Sequence, residues 1–103
     1  MTVHPVLRRG MTALYGLAVR EGLRPRVTSV VRSRTTQARL YRRYRAGLSR
    51  WPAAPPGQSL HEYGLAFDMV AGDLRWLGSV WESWGGRWGG RFGDDVHFEL
   101  QGG

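Results

Sequence analysis

Two short runs in the second half of the chain, residues 64–70 and 96–100, have the alternation of half-buried strands, and each carries a potential metal ligand. In the first, Leu65, Phe67 and Met69 alternate with Ala66, Asp68 and Val70; in the second, His97 stands in Val96-His97-Phe98-Glu99-Leu100. His61 precedes Asp68 by seven residues in Ser59-Leu60-His61-Glu62-Tyr63-Gly64-Leu65-Ala66-Phe67-Asp68. Imidazole nitrogen and carboxylate oxygen suit a borderline-soft cation such as zinc, and three protein ligands leave a fourth position open for water. An open position separates a catalytic zinc site from a structural one. One shared ion obliges the two runs to meet. The chain has no cysteine, so any metal it holds must use nitrogen and oxygen, and no disulfide framework exists.

The remaining elements follow from periodicity and punctuation. Val6, Met11, Leu14, Leu17 and Ala18 predict a one-faced helix over residues 5–21, stopped at Gly22. Residues 26–31 read as a short strand. A second helix, residues 37–46, is predicted with Thr35 or Thr36 as its cap, Leu40 and Tyr44 inward, and Gly47 at its end. Pro52, Pro55, Pro56 and Gly57 mark a loop leading to the histidine motif. Asp73 caps a third helix through Trp84, with Leu74, Leu77, Trp81 and Trp84 on one stripe. Residues 85–93 are glycine-rich and aromatic and read as a loop, and Gly102 and Gly103 as a frayed tail. The sum is an α+β fold: a small, mainly antiparallel sheet with helices packed on one side.

At 103 residues, 42% hydrophobic and with five tryptophans, the chain is long and apolar enough for one packed domain, residues 1–103. No apolar run approaches the ~20 residues of a membrane span, so membrane insertion is not expected. Arg8 and Arg9 precede a segment interrupted by Thr12, Tyr15 and Gly16, which reads as a helix rather than a secretory signal; synthesis in the cytoplasm is the expectation. The net charge of +7 comes from arginine, much of it between Arg20 and Arg50. Such a field attracts polyanions, whether nucleic acid, an acidic membrane or an anionic cell-wall polymer, while most of these arginines read as a solvated basic face. No helix, finger or aromatic-sheet signature of nucleic-acid reading is present, which argues against that class.

Ser59, His61, Gly64, Ala66 and Asp68 together resemble the signature of the zinc D-alanyl-D-alanine carboxypeptidases and L-alanyl-D-glutamate endopeptidases, which share a fold with the hedgehog signalling domain. Ser29-Val30-Val31-Arg32 with Gln37 and Leu40-Tyr41 is similar to that family's upstream segment. Trp84-Gly85-Gly86-Arg87-Trp88 with Phe92 and Asp94-Asp95-Val96-His97-Phe98-Glu99 resembles its closing segment, in the form found in phage endolysins. The resemblance spans roughly residues 10–100. It implies the hedgehog/DD-peptidase fold and one Zn2+ held by His61, Asp68 and His97. It further implies Asp94 as general base, Arg32 as a catalytic and substrate-binding cation, and Gln37 and Ser59 as substrate-side residues.

The implied activity is cleavage of the peptidoglycan stem peptide, first as an L-alanyl-D-glutamate endopeptidase, with D-alanyl-D-alanine carboxypeptidase as the alternative. Action at the wall follows release through a lysis pore or delivery within a virion; a virion component keeping the fold without the activity is a further alternative. Periodicity favours a different base: residues 95 and 97 share a strand face, so Asp95 rivals Asp94. His4 reads as a hydrogen-bonded group rather than a ligand. Glu62 and Glu99 read as structural or exposed; Glu99 orienting a ligating histidine is the less favoured alternative. Trp84, Trp88 and Phe92 read as core or pocket wall.

Overall fold

The computed structural model describes residues 3–101; Gly102 and Gly103, expected as a frayed tail, lie outside them. Helix α1, Pro5–Arg20, starts where the His4 side chain accepts the Val6 N–H and proline takes the first helical position. Its buried stripe is Leu7, Leu14 and Ala18. Gly22, at φ +71°, turns the chain, and the Leu23 N–H closes the helix on the Ala18 carbonyl. Strand β1, Arg26–Ser29, follows, then helix α2, Arg34–Arg45. After the proline loop, a 3-10 turn at Leu60–Tyr63 delivers the chain to strand β2, Ala66–Val70. Helix α3, Leu74–Ser83, strand β3, Gly86–Trp88, a second 3-10 turn at Gly89–Phe92 and strand β4, His97–Leu100, complete the fold.

The four strands form one antiparallel sheet in the order β1-β2-β4-β3. Alternation gives it two unlike faces. Phe67, Met69 and Phe98 point to α1 and α3 and meet Leu7, Leu14, Ala18, Leu77 and Trp81 in the core. Phe67 stacks on Phe98 at 5.2 Å, and Trp81 meets Phe67 edge-on at 5.4 Å. Asp68, His97 and Glu99 occupy the other face and line a cavity. Helix α2 also borders that cavity, through Gln37 and Leu40. Among the described residues no helix is long and apolar enough to cross a membrane.

Several local expectations are corrected. Ser33, not Thr35 or Thr36, caps α2, its hydroxyl accepting the Thr36 N–H at 3.1 Å. Tyr44 points outward, 40% exposed, because α2 buries only Gln37 and offers the core no apolar stripe. Trp84 is 51% exposed, since it is the cap beyond the last turn of α3. Within residues 85–93 a strand, β3, appears: Gly86 pairs with Leu100 and Trp88 with Phe98. Three residues with a glycine carry no period of their own, so tertiary pairing creates this strand.

Candidate active site

The histidine motif is built by its own backbone hydrogen bonds. Ser59 Oγ accepts the His61 N–H at 3.3 Å, and the buried Glu62 carboxylate reaches back to the N–H groups of Ser59 and Gly57, giving a capping box. Gly64 ends the turn at φ +71°, a backbone state that any side chain would strain. The turn thus fixes His61 at the cavity while the next residues enter β2. In β2, Asp68 pairs with His97 of β4, which places both side chains on one face.

The three candidate ligands converge. His61 Nε2 lies 3.0 Å from Asp68 Oδ1 and 3.2 Å from His97 Nδ1, and His97 Nδ1 lies 3.4 Å from the same Asp68 oxygen. Each imidazole has its other nitrogen committed. His61 Nδ1 donates to the Val30 carbonyl at 3.0 Å, and His97 Nε2 donates to Glu99 Oε1 at 2.7 Å. A carbonyl and a carboxylate accept only, so these bonds turn the second nitrogen of each ring toward Asp68, where it carries either a proton or, once deprotonated, a lone pair. With both rings deprotonated on that side, three electron-pair donors face one another and a cation can replace the protons between them. Their spacing suits zinc, whose bond lengths of ~2.0–2.1 Å give a tetrahedral edge of ~3.3–3.4 Å. The donor set therefore fits one zinc ion, as His61, Asp68 and His97 among the described residues.

Charge around the site follows the same geometry. Burial alone would raise the Asp68 carboxyl, but hydrogen bonds from His61 and His97, with the charges of His61 and Arg32, hold it well below the usual carboxylate range. Burial would lower His97; its bonds to Asp68 and Glu99 outweigh that and push it up to about 9. Asp94 is raised to about 6, chiefly by burial and then by the negative charge of Asp68.

Arg32 is held in place by several partners. Its Nη2 meets Asp68 Oδ2 at 2.8 Å and Ser29 Oγ at 3.0 Å, Nε also meets Ser29, and Nη1 donates to Gln37 Oε1 at 3.0 Å. Gln37, 1% exposed, passes its own N–H to the Ala54 carbonyl, tying α2 to the proline loop. Four of the five guanidinium N–H groups are thereby engaged, and one on Nη1 has no protein partner among the described residues. Ser29 reaches this network through a β-bulge: Val27 pairs with Met69 but Ser29 with Asp68, leaving Thr28 as the extra residue.

The cavity has a volume of about 620 Å³. The metal trio, Arg32, Gln37, Ser59 and Asp94 all line it, as do Trp51, Pro52, Ala53 and Ala54 of the proline loop. The family model for VanY, D-alanyl-D-alanine carboxypeptidase, matches residues 1–101. The chain belongs to the D-alanyl-D-alanine carboxypeptidase family. Solved structures share the fold. The LdcB LD-carboxypeptidase aligns with a TM-score of 0.73 at 23% identity, over 98% of this chain and 66% of its own. The vancomycin-resistance D,D-pentapeptidase VanY in complex with Zn(II) aligns at 0.74 and 20% identity, over 97% and 73%. VanYB in complex with D-alanine-D-alanine aligns at 0.74 and 22% identity, over 97% and 72%. The chain thus spans about two thirds of the length of the first of these structures. No curated protein matches it.

In this family member the two aspartates separate cleanly. Asp94 lines the cavity, whereas Asp95 is exposed and lines a neighbouring recess with Arg50, Trp51, Gly90 and Gly93. The strand argument for Asp95 does not apply, because β4 starts at His97 and residues 94–96 form a turn closed by the His97 N–H on the Asp94 carbonyl. Gly89 lies under that turn: a Cβ there would collide with the Asp94 carbonyl and with Cβ of His97. Sequence reasoning passed over Gly89, quoted Ser29 only as part of the upstream segment, and read Glu62 as structural or exposed without its capping role. For Glu62 a signal existed, a glutamate three residues after Ser59 in the capping-box pattern.

Proposed function

We propose that residues 1–103 act as a single zinc-dependent peptidoglycan peptidase that removes a C-terminal D-alanine from the stem peptide. One observation carries this reading: His61 Nε2, Asp68 Oδ1 and His97 Nδ1 converge on a cavity that also holds Asp94 and Arg32, in a chain of D-alanyl-D-alanine carboxypeptidase family. The zinc and D-alanine-D-alanine complexes of VanY-type enzymes support the same metal and substrate class.

When bound, zinc supplies Lewis acidity at the scissile carbonyl and acidifies a water. The protein's residues do the rest. Asp94 takes the proton from the attacking water as the new C–O bond forms, and delivers it to the leaving amine as the C–N bond breaks. Its partly buried position beside Asp68 gives it the raised proton affinity this double role needs. Arg32 keeps Asp68 ionised and aimed through the Oδ2 contact, leaving Oδ1 for the metal, and its remaining Nη1–H is available to the substrate. The Ser59 hydroxyl, whose oxygen accepts the His61 N–H, has its own proton left to donate to the peptide.

Cleavage between L-alanine and D-glutamate is the second reading, and Arg32 favours it. A preformed grip on a terminal carboxylate calls for two parallel guanidinium N–H groups, and here Asp68, Ser29 and Gln37 engage all but one. A single donor suits the carbonyl oxygen of an internal peptide. The phage association expected from the closing segment belongs to this second reading and rests on that segment alone. Both readings place the action at the bacterial cell wall.

Mass spectrometry of a stem pentapeptide and of isolated walls, with and without a chelator, decides between them. Chelator-sensitive release of D-alanine establishes the carboxypeptidase. New L-alanine C-termini and D-glutamate N-termini establish the endopeptidase. A folded, zinc-loaded protein that cleaves neither substrate would overturn both and leave a virion component without activity as the better account.

A further inference from the structure

The net positive charge comes from one part of the chain. Residues 22–61 hold nine arginines and no acidic residue, while the rest of the chain holds six arginines and eight acidic residues. Helix α2 is the centre of this segment. Arg34, Arg39, Arg42, Arg43 and Arg45 are all exposed on it, and Arg50 follows in the loop. Among the described residues, only Arg34 of these six meets a carboxylate, Glu62 at 3.4 Å. Arg45 lies over the Tyr41 ring at 6.0 Å and Arg50 over Trp51 at 4.3 Å, stacking that leaves the guanidinium edges free to donate. Arg39 with Arg42, Arg39 with Arg43, and Arg42 with Arg45 are three or four residues apart, so they crowd one another without a counter-charge.

This helix contributes Gln37 and Leu40 to the cavity wall, and the loop beyond it contributes Trp51 to Ala54. A polyanion lying along α2 would therefore run past the mouth of the peptide cavity. We propose that α2 and Arg50 form a docking surface for a phosphodiester polymer of the cell wall, which holds the enzyme with its cavity against the stem peptides. The choice of a wall polymer rests on the peptidase reading given above; the docking surface itself rests on charge and exposure.

The test measures binding of the purified full chain to a glycerol-phosphate polymer by titration calorimetry at several salt concentrations. A DNA duplex and phosphatidylglycerol vesicles serve as comparisons at equal phosphate. The triple variant Arg42→Gln/Arg43→Gln/Arg45→Gln should reduce the slope of log affinity against log salt by about two, at ~0.7 per lost phosphate contact. The triple Arg8→Gln/Arg9→Gln/Arg75→Gln removes the same charge from α1 and α3 and should leave the slope unchanged. Each α2 single variant should remove about a third of the effect, which guards against a folding defect in the triple. Equal losses in both triples would reduce the effect to net charge and overturn the proposal. So would tighter binding to DNA or vesicles than to the polymer. Binding is read on zinc-free protein as well. Absent hydrolysis with normal polymer binding would count against the peptidase reading alone, and hydrolysis without polymer binding against the docking surface alone.

Discussion

The two faces of β2 and β4 are made by the same nine residues and differ in what keeps them in place. On one face Phe67, Met69 and Phe98 are fully buried against α1 and α3, and their order comes from packing area and ring stacking. On the other, Asp68, His97 and Glu99 are held by a chain of directed bonds running from Glu99 through His97 and Asp68 to Arg32 and Gln37. The apolar face tolerates change in proportion to volume. The polar face does not, because each member fixes the protonation and direction of the next. Function sits on the second face, and the fold rests on the first.

That contrast makes separable predictions, and the largest concerns the base. Asp94→Asn should keep zinc and fold while turnover drops by about 10²–10⁴-fold, the range of a lost general base. Asp95→Asn, exposed beside Arg50 and Trp51, should leave kcat within about twofold. His61→Ala, by contrast, should lose the metal itself, seen as zinc released on dialysis, with a melting curve that stays cooperative. Full activity in Asp94→Asn together with loss in Asp95→Asn would reverse the assignment.

On the packing face, Phe67→Ala should cost about 3–5 kcal/mol, measured by urea unfolding. Its ring meets both Phe98 and Trp81, so the cavity left has little chance to close. Since small domains are stable by only about 5–15 kcal/mol, this variant should lie near the threshold of folding. A loss below about 1 kcal/mol would mean that the aromatic trio is not the anchor of the sheet.

Much of this division was legible in the sequence, and its limits have physical reasons. Alternation in residues 64–70 assigned Phe67 and Asp68 to opposite faces, and the Asp73 cap and Leu77–Trp81 spacing located α3, because these signals are local. Strand β3 was not legible, since it exists only by pairing with β4. The inward Tyr44 failed because a helix whose one buried side chain is glutamine has no apolar stripe to follow. The Asp94 and Asp95 alternatives could not be separated by period, because the strand begins two residues too late for period to apply. The Ser29 contact needed the bulge at Thr28, which shifts register without leaving a mark in the side-chain pattern.

Acidity offers a gentler way to divide the faces, since only the polar one titrates. In the metal-free protein Asp94 is raised from 3.8 to about 6, so the folded state binds the proton more tightly than the unfolded one. Its contribution is fully present below pH 3.8 and is lost as pH rises to about 6. His97, raised from 6.5 to about 9, adds a second loss between those values. Asp68 is lowered and acts in the opposite sense, its contribution lost as pH falls below the usual carboxylate range. Zinc changes the upper window, because a ligating His97 Nδ1 cannot keep its proton. Below about pH 9 the apparent zinc affinity should therefore strengthen about tenfold per pH unit, for one proton displaced. A flat affinity between pH 6.5 and 9 would show that His97 is already neutral without metal.

The smallest expected effect tests where the two kinds of order meet. Ser59 is 7% exposed, caps the histidine turn and also lines the cavity, so its two roles predict different readouts. As a cap alone, Ser59→Ala should lower stability by about 1 kcal/mol and leave KM unchanged. As a substrate donor as well, it should raise KM by several-fold with the zinc affinity intact. Ser59→Thr keeps both the oxygen and its proton, so it should restore whichever quantity moved. If stability alone moves, the cavity's recognition of peptide falls to Arg32 and its single remaining N–H. That outcome would shift the balance from a terminal carboxylate toward an internal carbonyl, and so from the carboxypeptidase toward the endopeptidase.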